Sequence, residues 1–191
     1  EIEEKKEARQ QEEMLRGTVK QTIRDANAQQ LENGLLGGPD NGRLDRLLGS
    51  GYILAECIPC EREEENLGGL NILLENIKQI VLGPRRDSRA VVTLFMGHVV
   101  FAVNQETMDF GRLLSEIREW SDKNEYPFSV SWIPVTSGDC LADRYSLLTR
   151  ISSYRFYYDK FCILSEEETK SAEGEPCFNA LEEAVKDGNA E

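Results

Sequence analysis

The spacing of apolar and polar positions changes period several times along the chain, and each change marks an element. From Tyr52 to Ile58 the run "YILAECI" is almost continuously apolar, as a buried strand is. From Leu67 to Leu82 the period becomes helical, with Leu70, Leu73, Leu74, Ile77 and Val81 on one face and Pro84 closing the segment. "AVVTLFM" and "HVVFAVN" are β-rich runs around Gly97–His98, which predicts a hairpin. "ETMDFGRLLSEIREWSDK" returns to the helical period, with Phe110, Leu113, Leu114, Ile117 and Trp120 inward. "FSVSWIPV" alternates, setting Phe128, Val130 and Trp132 against the serines, the pattern of a half-buried strand.

This succession reads β-α-β-β-α-β. It predicts an α+β fold, a ferredoxin-like βαββαβ unit with an antiparallel sheet of order 4-1-3-2 and its helices on one face. "ADRYSLLTRISS" then predicts another helix and "YRFYYDKFCIL" another strand, a C-terminal helix-strand extension. In that strand Tyr154, Phe156 and Tyr158 would face one way and Tyr157 the other, where it would help form a partner surface.

The flanks read differently. Residues 1–33 are rich in helix formers and form an N-terminal helical arm. Its apolar stripe begins late, at Leu15, Val19, Ile23 and Ala26, and Gly17 weakens it by about 1 kcal/mol relative to alanine. The stripe suits docking on the chain's own domain or a coiled-coil contact with a partner or a second copy. Residues 34–51 are a glycine-rich linker with a short helical turn around Leu44, Leu47 and Leu48, and residues 52–164 are the α+β domain. Residues 165–191 are an acidic, largely disordered tail in which "FNALEEAVKD" has the spacing of a short amphipathic helix.

Charge narrows the partners. A net charge of −13 and a pI near 4.7 repel nucleic-acid phosphates and anionic membrane surfaces, so no nucleic-acid partner is expected. No stretch reaches the roughly 18 apolar residues of a membrane span, so no direct membrane insertion is expected of this segment. A chain of 191 residues fits one domain with tails, and its start at Glu1 without methionine reads as a piece of a longer protein. Cysteines at 57, 60, 140, 162 and 177 are odd in number and scattered. That is not a disulfide framework, and it places the protein in a reducing compartment, cytoplasmic or nuclear.

Few residues carry chemical signals. Cys57 and Cys60 form a Cys-x-x-Cys at the exit of the first predicted strand. Small ferredoxin-like metal carriers hold a soft cation at that loop, so copper or zinc binding is one reading and thiol redox another. The acidic run "EREEEN" that follows opposes thiolate formation. Arg85, Arg86 and Arg89 surround Ser88, a basic loop that suits an acidic partner and makes Ser88 a candidate phosphorylation site. His98, the single histidine, is expected at a solvent-facing turn with no nucleophile paired to it. No Walker or kinase signature occurs, and only Phe101 on the third strand could stack a base. With no catalytic constellation, the sequence reads as a non-enzymatic protein–protein interaction or regulatory module. A soft-metal or redox protein and a small-ligand sensor domain are the alternatives.

Overall fold

The computed structural model describes residues 2–38, 43–60, 67–83, 89–157, 161–167 and 169. In chain order the elements are α1 (Ile2–Leu35), α2 (Arg43–Leu48), β1 (Gly51–Pro59), α3 (Leu67–Val81), β2 (Ala90–Phe95), β3 (His98–Asn104), α4 (Phe110–Asn124), β4 (Phe128–Thr136), α5 (Leu141–Ser152), a 3-10 turn (Ser153–Tyr157) and β5 (Cys162–Leu164). The fold is α+β, with one five-stranded sheet of order β2-β3-β1-β4-β5.

The sheet is mixed, which corrects the all-antiparallel expectation. β1 pairs antiparallel with β3 and β4, and β2 with β3, but β5 runs parallel to β4. A parallel neighbour needs a crossover rather than a hairpin, and α5 with the 3-10 turn provides it. The turn also shortens the predicted last strand. The residue after α5, Ser153, stays in the right-handed helical region, and the chain tightens into 3-10 geometry instead of extending. Only Cys162–Leu164 pairs with β4.

Both faces of the sheet are covered. On one, Leu73, Ile77 and Val81 of α3 and Leu113 and Ile117 of α4 pack on Ile53, Ala55, Cys57, Phe101, Phe128 and Val130. On the other, Leu31 and Leu35 of α1, Leu44 and Leu48 of α2, and Leu148 and Ile151 of α5 pack on Tyr52, Leu54, Val100, Ala102, Ile133 and Val135. Helices therefore lie on two faces rather than one, and the serine side of β4 is not open to solvent: Ser129 and Ser131 are fully buried. β1, with neighbours on both sides and helices above and below, reads as a continuous apolar run for that reason.

The β2–β3 turn is Met96–Gly97, with φ of 50° and 81°, the backbone of a two-residue type I′ hairpin. It falls one residue earlier than the glycine suggested, so His98 opens β3 rather than capping a loop.

Asn104 ties the end of β3 to α2. Its Nδ2 donates to the Leu48 carbonyl, and its Oδ1 accepts from the Glu106 N–H at 2.9 Å and the Thr107 N–H at 2.7 Å. Gly49, at φ +84°, closes against this amide, where a Cβ would come within 2.7 Å of Nδ2. Asn104→Ala strands the buried Leu48 carbonyl and takes the acceptor from the Glu106 and Thr107 N–H groups, and is expected to lower stability by about 2 kcal/mol in urea unfolding. Asn104→Asp, which keeps the two accepted bonds, should lose less. Among the described residues no helix is long and apolar enough to cross a membrane.

Candidate functional site

A carboxylate sits in the middle of the central strand. Glu56 is fully buried, on the α5 side of β1. Its neighbours in the two flanking strands are Val100 and Ser131. An ion there has no water to solvate it and must be held by donors. Three converge on it. His98 Nδ1 lies 2.6 Å from Oε1, the Tyr145 hydroxyl donates to the same oxygen at 3.0 Å, and Ser152 Oγ donates to Oε2 at 2.6 Å. His98 arrives from the hairpin at the start of β3. Tyr145 and Ser152 are two helical turns apart on α5 and so present the same face.

Electrostatics follow from this geometry. Burial pushes the Glu56 carboxyl up, but hydrogen bonds from His98 and Ser152, the His98 charge and the Tyr145 bond outweigh it, and the net shift is downward. Burial, then the charge and hydrogen bond of Glu56, push the Tyr145 phenol well above its ordinary value. With Glu56 ionised, the proton of this contact sits on Nδ1 of His98. The His98 side chain is 28% exposed and is the cluster's route to solvent. Ser131 Oγ, beside this cluster, is buried and has no hydrogen-bond partner among the described residues.

A carboxylate orienting an imidazole is half of a nucleophile-activating arrangement. The other half does not appear here: among the described residues the His98 ring makes one hydrogen bond, to Glu56. What the cluster does physically is fasten three elements, β1, the β2–β3 hairpin and α5, through one buried charge.

The residues singled out from the sequence fall elsewhere. Cys57 is fully buried among the side chains facing α3 and α4, and burial, with the Glu56 charge, pushes its thiol well up. Cys60 follows β1, half-buried, with its N–H donating to the Pro127 carbonyl at 3.1 Å. Neither Cys57 nor Cys60 is in a disulfide, and no group of three or more His, Cys, Asp or Glu residues among those described is placed to hold a metal ion. Leu15, Val19 and Ile23 lie exposed on α1, joined by Met14, which the stripe had not included. Arg89 is exposed just before β2, whereas Arg85, Arg86 and Ser88 lie outside the described residues. Tyr157 ends the 3-10 turn rather than sitting in a strand. Cys177 and "FNALEEAVKD" lie outside the described residues.

The Glu56 cluster was not picked out from the sequence, although one signal was present: a lone acid inside "YILAECIP". A charge within a strand buried on both faces requires partners. His98, expected to face solvent, is one of them.

No family model and no curated protein matches the chain. Among solved structures it aligns with one described as "A Novel Interaction Mode between a Microbial GGDEF Domain and the Bis-(3, 5)-cyclic di-GMP", at 9% identity over 75% of this chain and 92% of that one, with a TM-score of 0.48. Likeness of that degree assigns neither a ligand nor an activity to this chain.

Proposed function

We propose that this chain is a non-enzymatic interaction or regulatory module of a larger protein or assembly, and that the outer part of α1 is its assembly arm, pairing with the same arm of a second copy. The observation that carries this reading is a contrast along one helix. Met14, Leu15, Val19 and Ile23 are 74, 67, 57 and 51% exposed, while Leu31 and Leu35 are 0 and 5%. Every residue from Gln11 to Asp25 is exposed; Lys20, Gln21, Arg24 and Asp25 border a cleft beside α3, and the apolar stripe is open to solvent. Single exposed apolar residues need no explanation, but three at i, i+4 and i+8 form a stripe that a partner helix can cover. Charge permits like to meet like: between Arg9 and Glu32, Arg9, Arg16, Lys20 and Arg24 match Glu12, Glu13, Asp25 and Glu32. The acidic excess of the rest of the chain does not extend along this surface.

A non-enzymatic role is favoured by the state of the Glu56 cluster, whose carboxylate is enclosed and whose donors are occupied in holding it. The finer fold reading, a ferredoxin-like unit from β1 to β4, belongs with this proposal. It is supported by the element order β1-α3-β2-β3-α4-β4 and by α3 and α4 sharing one face of the sheet.

The test uses the full chain and a Leu15→Glu/Val19→Glu/Ile23→Glu variant. Sedimentation equilibrium should give a concentration-dependent dimer for the parent and a monomer for the variant, with equal urea midpoints at concentrations where the parent is monomeric. A parent that stays monomeric at the highest attainable concentration, or a variant that associates as well as the parent, refutes the arm.

A further inference from the structure

β2 is an edge strand, and its outer side opens into a cleft of about 1170 Å³ between α1 and α3. The hairpin register decides which backbone groups face that cleft. Phe95 and His98 close the two-residue turn and so form a hydrogen-bonded pair. At the far end the Asn104 N–H donates to the Arg89 carbonyl at 3.0 Å, which marks the same parity. Arg89, Val91, Thr93 and Phe95 therefore bond to β3, and the N–H and C=O groups of Ala90, Val92 and Leu94 point away from it. Among the described residues these three have no hydrogen-bond partner on that side.

Natural edge strands are blunted by proline, charge, bulges or a covering element. β2 reads "AVVTLF" and pairs with β3 through six consecutive residues without a bulge, so it has none of the first three. It is recessed instead: Ala90 to Thr93 are buried, and Leu94 is the exposed residue of the strand. A recessed edge excludes some occupants. A second copy would bring its own α1 and α3 beside its β2, and those helices would meet before the strands did. A lone extended segment has no such walls.

The two walls differ. One wall holds Leu74 of α3 and Leu82 just beyond it, which pack on the cluster that contains Val92, with Glu75, Lys78 and Gln79 beside them; the other holds Gln21, Gln29 and Glu32 of α1, on the side of Thr93. Glu32 accepts a hydrogen bond from the Thr93 hydroxyl, and Arg24 Nη2 donates to the Leu82 carbonyl at 3.2 Å, which links the two walls. On the α1 wall Lys20 and Arg24 are balanced by Asp25 and Glu32, so uncharged polar side chains suit it better than a run of either sign.

We propose that this cleft binds one extended segment of a partner protein, which adds as a sixth strand beside β2, with apolar side chains toward α3 alternating with uncharged polar ones toward α1. Backbone bonds to Ala90, Val92 and Leu94 supply affinity, and the two walls read the alternation. The proposal rests on the interaction-module reading but uses a different surface from the exposed stripe of α1.

The probe is a set of capped six-residue peptides that alternate Val, Ile or Leu with Thr, Gln or Asn, titrated into the isotope-labelled full chain. Binding should protect the amides of Val92 and Leu94 from hydrogen exchange and leave those of Val91 and Thr93 as they were. N-methylation at alternate residues should abolish binding in one parity and be tolerated in the other. Leu94→Pro removes an outward N–H and leaves the ladder to β3 intact; it should weaken binding about tenfold, the effect of one lost hydrogen bond. Should that variant not fold, the two N-methylated forms on the parent chain decide. The glutamate variant of α1 should bind the peptides unchanged, which separates failure of the arm from failure of the cleft. No binding by any alternating peptide, equal binding of both N-methylated forms, concentration-dependent protection of Val92 in the free chain, or binding only after removal of residues 170–191 would overturn the proposal.

Discussion

Glu56→Ala is expected to lower the unfolding free energy by about 3–5 kcal/mol, the range for removing one member of a buried, hydrogen-bonded charge arrangement. The loss is large because the substitution takes the acceptor from three donors, His98 Nδ1, the Tyr145 hydroxyl and Ser152 Oγ, around a fully buried position. Glu56→Gln keeps the volume and one oxygen but turns an N–H₂ toward a donor, so an intermediate loss is expected. The pH dependence has a definite sign. The folded-state pKa of Glu56 lies below its ordinary value of 4.5, so its contribution is fully present above about pH 4.5 and declines as pH falls through the folded value. Urea midpoints measured from neutral pH downward should therefore fall more steeply for the parent than for Glu56→Gln. Asp139, also shifted down by the Thr136 and Arg144 donors, contributes to both curves and cancels in the difference. Parallel curves would mean that Glu56 is not held as an anion.

Most of the element order could be read from periodicity because β1 to α5 are short segments whose burial is set by their neighbours in sequence. The helical face of Leu73, Ile77 and Val81 is one case, and the paired β-rich runs at Ala90 and His98 are another. What could not be read was which long-range surfaces meet. The serines of β4 look like a solvent face until α5 covers them, and nothing local to "FSVSWIPV" says that it will. The aromatic alternation in "YRFYYDKFCIL" suggests a strand, yet the preceding helix carries its geometry on into a 3-10 turn. The candidate site lies between these cases. Glu56 was visible as an anomaly, but Tyr145 and Ser152 lie 89 and 96 residues away on a helix whose docking face was unknown. The recessed edge of β2 is a property of the assembled sheet and two helices, so no stretch of sequence encodes it by itself.

The same limitation applies to α1, where a stripe in the sequence does not say which part of it is buried. Leu31→Ala is expected to cost about 3 kcal/mol, within the range for deleting a buried leucine side chain. Leu31 is fully buried in the core cluster that also holds Leu35, Leu48, Val91 and Phe95. The surroundings can collapse little, because the neighbouring Glu32 is bonded to Thr93 on β2. Val19→Ala on the same helix, at 57% exposure, should change stability by no more than about 0.5 kcal/mol. The comparison measures where the arm ends and the core begins. It also constrains how the arm is removed: a deletion through residue 33 takes Leu31 with it and would confuse loss of assembly with loss of fold, whereas one ending at Ile23 leaves Ala28, Leu31 and Leu35 on the sheet. If Leu31→Ala proves neutral while Val19→Ala destabilises, the seat of α1 on the domain is wrong. The walls assigned to the β2 cleft would then be wrong with it.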